Sequence, residues 1–76
     1  MGNSRVFSER LKQLRKERGL IQKQVYEVVG VSSTGYKRYE NGQHEPAFQY
    51  LILLAEYFNV SIDYLVGRTD NPEINK

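Results

Sequence analysis

A chain of 76 residues with 39% hydrophobic content supports one small domain and no more. It has no cysteine, which excludes disulfides, thiolate zinc sites and thiol nucleophiles, and its single histidine leaves no recognisable metal set or nucleophile–base pair. An enzyme is therefore the least supported class, and neither a metal nor a cofactor is expected. The net charge is only +2 but unevenly spread: residues 1–44 carry nine Lys or Arg against four Glu, and residues 45–76 carry two against five Asp or Glu. A basic front half suggests one face that meets an anion, although a solvated helix surface produces the same asymmetry.

No stretch suits a membrane. The longest apolar run, Tyr50–Ala55, is too short to span a bilayer, and the N-terminal MGNSRVFSER has no apolar core of a signal peptide. Val6 stands where an acylation signal beginning at Gly2 needs Ser or Thr. A soluble, cytoplasmic protein is expected.

Along the chain, residues 1–6 are polar and read as a flexible N-terminus. Phe7, Leu11 and Leu14 fall at i, i+4 and i+7, which predicts a helix over 7–18 with Gly19 as its stop. Ser4 and Ser8 are alternative caps for it. Leu20 and Ile21 form an apolar joint. Val25, Val28 and Val29 mark a second helix over 22–29, which Gly30 can end by taking a positive φ. Ser32 caps a third over 33–40, with Tyr36 and Tyr39 on one face and Lys37 and Arg38 pointing elsewhere.

Asn41-Gly42 is a second turn signal, and Gln43-His44-Glu45-Pro46 is a loop ending at a helix-starting proline. Residues 47–58 are apolar on nearly every side, as expected of a helix central to the core or shared with a partner chain. Ser61 caps a last helix over 61–66, with Asp63 near its positive end, Ile62 and Leu65 facing inward, and Gly67 at its stop. Residues 68–76 read as a C-terminal tail. The expected fold class is all-α, a compact five-helix domain over 7–67.

Two short helices joined by a tight turn at Gly30-Val31-Ser32 match the helix-turn-helix unit, whose second helix enters the DNA major groove. The stretch Gln22–Gly42 resembles the phage repressor and Cro family of Xre-type regulators, whose fold is lambda-repressor-like. The resemblance rests on Gln22, on Gly30-Val31-Ser32 and on Arg38-Tyr39-Glu40-Asn41-Gly42. It extends to Phe7–Arg15 on one side and Val60–Leu65 on the other, so it covers nearly the whole chain.

That resemblance implies a transcriptional regulator, foremost a repressor that binds a (pseudo)palindromic double-stranded DNA operator as a homodimer. Half-sites would lie about 34–36 Å apart, one helical turn. By position, Ser33, Thr34, Lys37 and Arg38 would read bases, and Gln22, Ser32, Asn41, Gln43 and His44 would hold phosphates. Arg10 and Lys23 are either further phosphate partners or a solvated face. Arg15 and Glu40 would form an interior ion pair. Tyr57, Val60, Tyr64 and Val66 are the expected dimer surface.

The chain departs from the family at three positions. Ile21 stands where a hydroxyl or amide usually caps the second helix, a loss of about 0.5–2 kcal/mol. Tyr26 replaces a usual Ala, and Gly35 a usual Ser or Thr. Either Gly35 makes room for the Tyr26 ring or it lets the backbone approach DNA. The alternative function is an antitoxin-type protein that binds a partner protein and autoregulates its operon, using the apolar fourth helix or the tail.

Overall fold

The computed structural model describes residues 4–74, which form five helices and no strand. They are α1 (Ser4–Glu17), α2 (Gln22–Val29), α3 (Ser33–Glu40), α4 (Phe48–Phe58) and α5 (Ile62–Leu65). α1 packs against α3 and α5, α2 against α3 and α4, and α4 against α5. Phe7, Leu11 and Leu14 of α1 meet Val25 and Val29, Tyr36 and Tyr39, Leu54 and Phe58, and Leu65 in one core. The residues spaced at i, i+4 and i+7 in the sequence are thus the buried ones, because one stripe of each helix turns to a common centre.

Several expectations are corrected. α1 begins at Ser4 rather than at 7, so residues 4–6 of the expected flexible segment are helical; residues 1–3 lie outside the described ones. Ser8 is no cap: it is buried inside the helix, and its hydroxyl donates to the Arg5 carbonyl at 2.9 Å. Val6 explains the earlier start. It is half-buried against Gly67, where a Cβ would come within 2.6 Å of the Val6 side chain. Gly67 also has φ +86, so the chain turns over α1 only because this residue has no side chain.

Val28 is exposed, so the apolar stripe of α2 narrows to Val25 and Val29, four residues apart. Val60, expected at a dimer surface, is buried in the core. Asn59 ends α4 in the left-handed region (φ 56), and this swings Val60 back so that its N–H donates to the Ala55 carbonyl at 3.0 Å.

The tail and Arg10 are the largest departure. Residues 68–74 do not leave the domain: the Ser61 N–H donates to the Pro72 carbonyl at 2.9 Å, and the Arg68 N–H to the Asp63 carbonyl at 2.7 Å. Arg10 clasps the same segment. Its guanidinium donates to the carbonyls of Tyr64 and Thr69 and to Asp70 Oδ1 at 2.7 Å, and lies 4.2 Å over the Tyr64 ring. Arg10 is thereby withdrawn from the phosphate partners entertained for it. No helix among the described residues is long and apolar enough to cross a membrane.

Candidate nucleic-acid interface

The joint between α2 and α3 is built from the backbone. Gly30 takes φ 85, and the N–H groups of Gly30 and Val31 both donate to the Tyr26 carbonyl, closing α2. Ser32 stays extended (φ −68, ψ 156), and its Oγ accepts the Gly35 N–H at 3.0 Å. The hydroxyl hydrogen of Ser32 remains available to donate. Ile21 at the start of α2 offers no side-chain acceptor. Gln24 supplies the reciprocal half of the cap, its Oε1 accepting the Ile21 N–H at 2.8 Å.

Gly35 does not serve the Tyr26 ring. A Cβ there would meet Ser32 Oγ at 3.0 Å and Val31 Cγ1 at 3.3 Å, so the missing side chain relieves the turn itself. The Tyr26 ring packs instead on Tyr36, centroid to centroid 6.1 Å. Glycine here suits the tight turn, whereas a size exchange between helices is excluded.

The inner face of α3 is held rigidly. Tyr36, Tyr39 and Glu40 are all buried. Arg15 donates to Glu40 in a fork, Nε to Oε2 at 2.7 Å and Nη2 to Oε1 at 3.0 Å, while its Nη1 donates to the Leu20 carbonyl at 2.9 Å. Two further donors complete the carboxylate: the Tyr36 hydroxyl to Oε2 at 2.5 Å and the Gln22 amide to Oε1 at 3.2 Å. One charge therefore ties together α1, the start of α2 and α3.

Electrostatics follow from that geometry. Burial pushes the Glu40 carboxyl upward, but hydrogen bonds from Arg15, Tyr36 and Gln22 outweigh it and hold the group below the usual glutamate range. The hydrogen bond to Glu40 raises Arg15 further, against burial. Burial, then the Glu40 carboxylate, push the Tyr36 phenol well above its ordinary value. The pair is ionised and the phenol neutral across the physiological range.

The outer face of α3 is open. Thr34, Lys37 and Arg38 are exposed and Ser33 is half-buried, so the four expected base readers stand on one short helix. Lys23, on α2, is exposed as well. Beyond the helix, Asn41 is its exposed C-cap, and Gly42 turns the chain with φ 76. The Gln43 N–H returns to the Arg38 carbonyl at 3.0 Å, which leaves the Gln43 and His44 side chains in solvent. Gln22 is the exception among the expected phosphate holders, being half-buried with its amide on Glu40.

Two members of the buried network were missed in the sequence. Tyr36 sits four residues before Glu40 on the same helix, a spacing that signals contact. Gln22, eighteen positions away from Glu40, left no such signal.

The family profile described as helix-turn-helix matches residues 11–65. The chain belongs to this Xre-type helix-turn-helix family. Among similar proteins, an uncharacterized HTH-type transcriptional regulator, YobD of Bacillus subtilis (strain 168), is 37% identical over 90% of this chain and 61% of its own length. The cryptic phage CTXphi transcriptional repressor RstR of Vibrio cholerae is 40% identical over 82% of this chain and 55% of its own. The crystal structure of a transcriptional regulator from Listeria innocua superposes with a TM-score of 0.76 at 37% identity, over 92% of this chain and 61% of that one. The chain thus spans between about half and three-fifths of the length of these relatives.

Proposed function

We propose that this protein is a sequence-specific double-stranded DNA-binding transcriptional regulator, a repressor that occupies a (pseudo)palindromic operator as a homodimer. The observation that carries the proposal is the contrast across α3. Its inner face is locked to α1 and α2 through Glu40, while Ser33, Thr34, Lys37 and Arg38 lie on the accessible side of a helix preceded by a tight turn. In this reading those four residues contact base edges, and Ser32, Asn41, Gln43 and His44 contact the flanking phosphates. Gln22 joins the phosphate set through the amide hydrogen that Glu40 does not take. No catalytic step and no cofactor belong to this reading.

Dimerisation would use the half-buried Tyr57, Tyr64 and Val66, without Val60. Selection of bound duplexes from a random pool tests the proposal. A shared half-site repeated with two-fold symmetry is expected, with centres about 10 base pairs apart. Enrichment of no sequence at all overturns it. Enrichment of a single asymmetric site removes the dimer.

A second reading, an antitoxin-type role, draws on the exposed Phe48 and Leu53 of α4. It predicts a stable complex with a partner protein from the source cell.

A further inference from the structure

The faces of α3 and α4 that look toward each other leave a cleft of about 350 Å³ beside the turn. Ser32, Thr34, Arg38 and Tyr39 line it from the turn and α3, and His44 and Tyr50 from the following loop and α4. Its walls hold no carboxylate. The depression between α1 and the end of α3 contains Glu9 and Glu40, and the two beside α5 contain Asp63 together with Glu56 or Glu73. Arg5 and Lys12 offset the carboxylates in the first of these, whereas the cleft beside the turn has Arg38 and no acid in its lining.

Tyr50 is the unexpected member. As the third residue of α4 it belongs to the apolar run read as core, and its ring does pack partly against that core. It is only half-buried, however, and opens onto the same cleft as Arg38 and His44. A phenol so placed has an apolar body on the core and a donor at the wet end. Tyr39 lies beside it: burial, and then the neighbouring Tyr50, raise the Tyr39 phenol. The Tyr39 hydroxyl thus stays a donor, and Tyr50 lines the same cleft as Arg38 and His44.

We propose that this cleft receives a backbone phosphate of the bound duplex and that Tyr50 is a DNA-contact residue, donating its hydroxyl to that phosphate. The proposal rests on the DNA-binding reading above and adds a contact from α4, outside the helix-turn-helix stretch. A phosphate contacted by both Ser32 and Tyr50 would set how deeply α3 enters the groove. The contact carries no sequence information of its own.

The test uses the whole chain, fluorescence anisotropy, and the selected duplex beside a scrambled one. Tyr50→Phe keeps the ring and removes only the hydroxyl. It should weaken both duplexes by roughly 10- to 100-fold, the loss of a hydrogen bond to a charged group, and leave the salt slope unchanged because the phenol is neutral. Single methylphosphonates placed along the duplex should reveal one phosphate whose neutralisation weakens the parent protein but not the variant. A 3-fluorotyrosine at position 50, read by fluorine NMR on adding duplex, gives an answer independent of the variant's stability. An unmoved resonance, or equal affinity of Tyr50→Phe and the parent at every duplex, overturns the proposal. If the parent binds no duplex, the DNA reading itself has failed, and the two failures are told apart by that control.

Discussion

The two faces of α3 obey different physics although they share eight residues. On the inner face the Glu40 carboxylate is fully partnered: it accepts from Arg15, Tyr36 and Gln22, and its side chain is 1% exposed. On the outer face Thr34, Lys37 and Arg38 stand in solvent. Buried polar groups have a single satisfied arrangement, so they fix position, while exposed ones keep their donors free for a ligand. The base-reading role proposed for this helix needs both. Rigidity comes from inside and vocabulary from outside.

The largest expected effect breaks the inner face. Glu40→Ala strands the Arg15 guanidinium, 13% exposed, and should destabilise the fold by about 3–5 kcal/mol, more than replacement of any exposed Lys or Arg. Urea titration or a thermal melt measures this, and an unchanged midpoint would remove the ion pair from the account.

The same carboxylate makes the fold sensitive to acid. Glu40 titrates lower in the folded protein than in the unfolded chain, whose glutamates titrate near about pH 4.3, so the unfolded state takes up the proton first as pH falls. Its contribution is present in full above that range and is lost as pH drops through the lower, folded value. A Glu40→Gln variant should be less stable at neutrality and show a shallower acid limb. Parallel pH–stability curves for variant and parent would contradict this.

On the outer face the effects fall on binding rather than folding. Arg38→Ala should weaken the preferred duplex by about 1–3 kcal/mol and relax the requirement at one base pair, with the melting temperature hardly moved. Equal weakening of specific and scrambled duplexes would instead make Arg38 a phosphate clamp, leaving Ser33, Thr34 and Lys37 to read the sequence. That outcome is a live alternative because Arg38 also lines the cleft that holds Tyr50. The smallest effect belongs to Asn41→Ala, about 0.5–1.5 kcal/mol on all duplexes alike, with the salt slope preserved because the amide is neutral. A loss confined to the specific duplex would move Asn41 to base reading.

Most of the architecture is legible in the sequence. Phe7, Leu11 and Leu14 repeat at helical spacing and all three are buried. Gly30 and Ser32 mark a helix stop and a helix start, and both perform those roles through backbone and hydroxyl hydrogen bonds. Val28 shows where the pattern misleads: a third valine on an eight-residue helix looks like core, yet it is 65% exposed while Val25 and Val29 are buried. Val60 misled in the opposite sense, since its burial depends on Asn59 taking the left-handed conformation.

Local chemistry is therefore what the sequence by itself determined: periodicity chose the helices, glycine and serine punctuated them, and the residue types of α3 separated an apolar face from a polar one. These are interactions between neighbours, within one or two helical turns. Only the tertiary structure decided which of several similar side chains met a distant partner. Arg10, Arg15 and Arg38 are indistinguishable as residues. Arg10 is spent on Tyr64, Thr69 and Asp70 and Arg38 is left exposed, while the pairing of Arg15 with Glu40 is expected from the family resemblance and from no spacing in the chain. The reason is that a guanidinium's partner is selected by how helices far apart in the chain pack, and no periodicity along the chain encodes that distance.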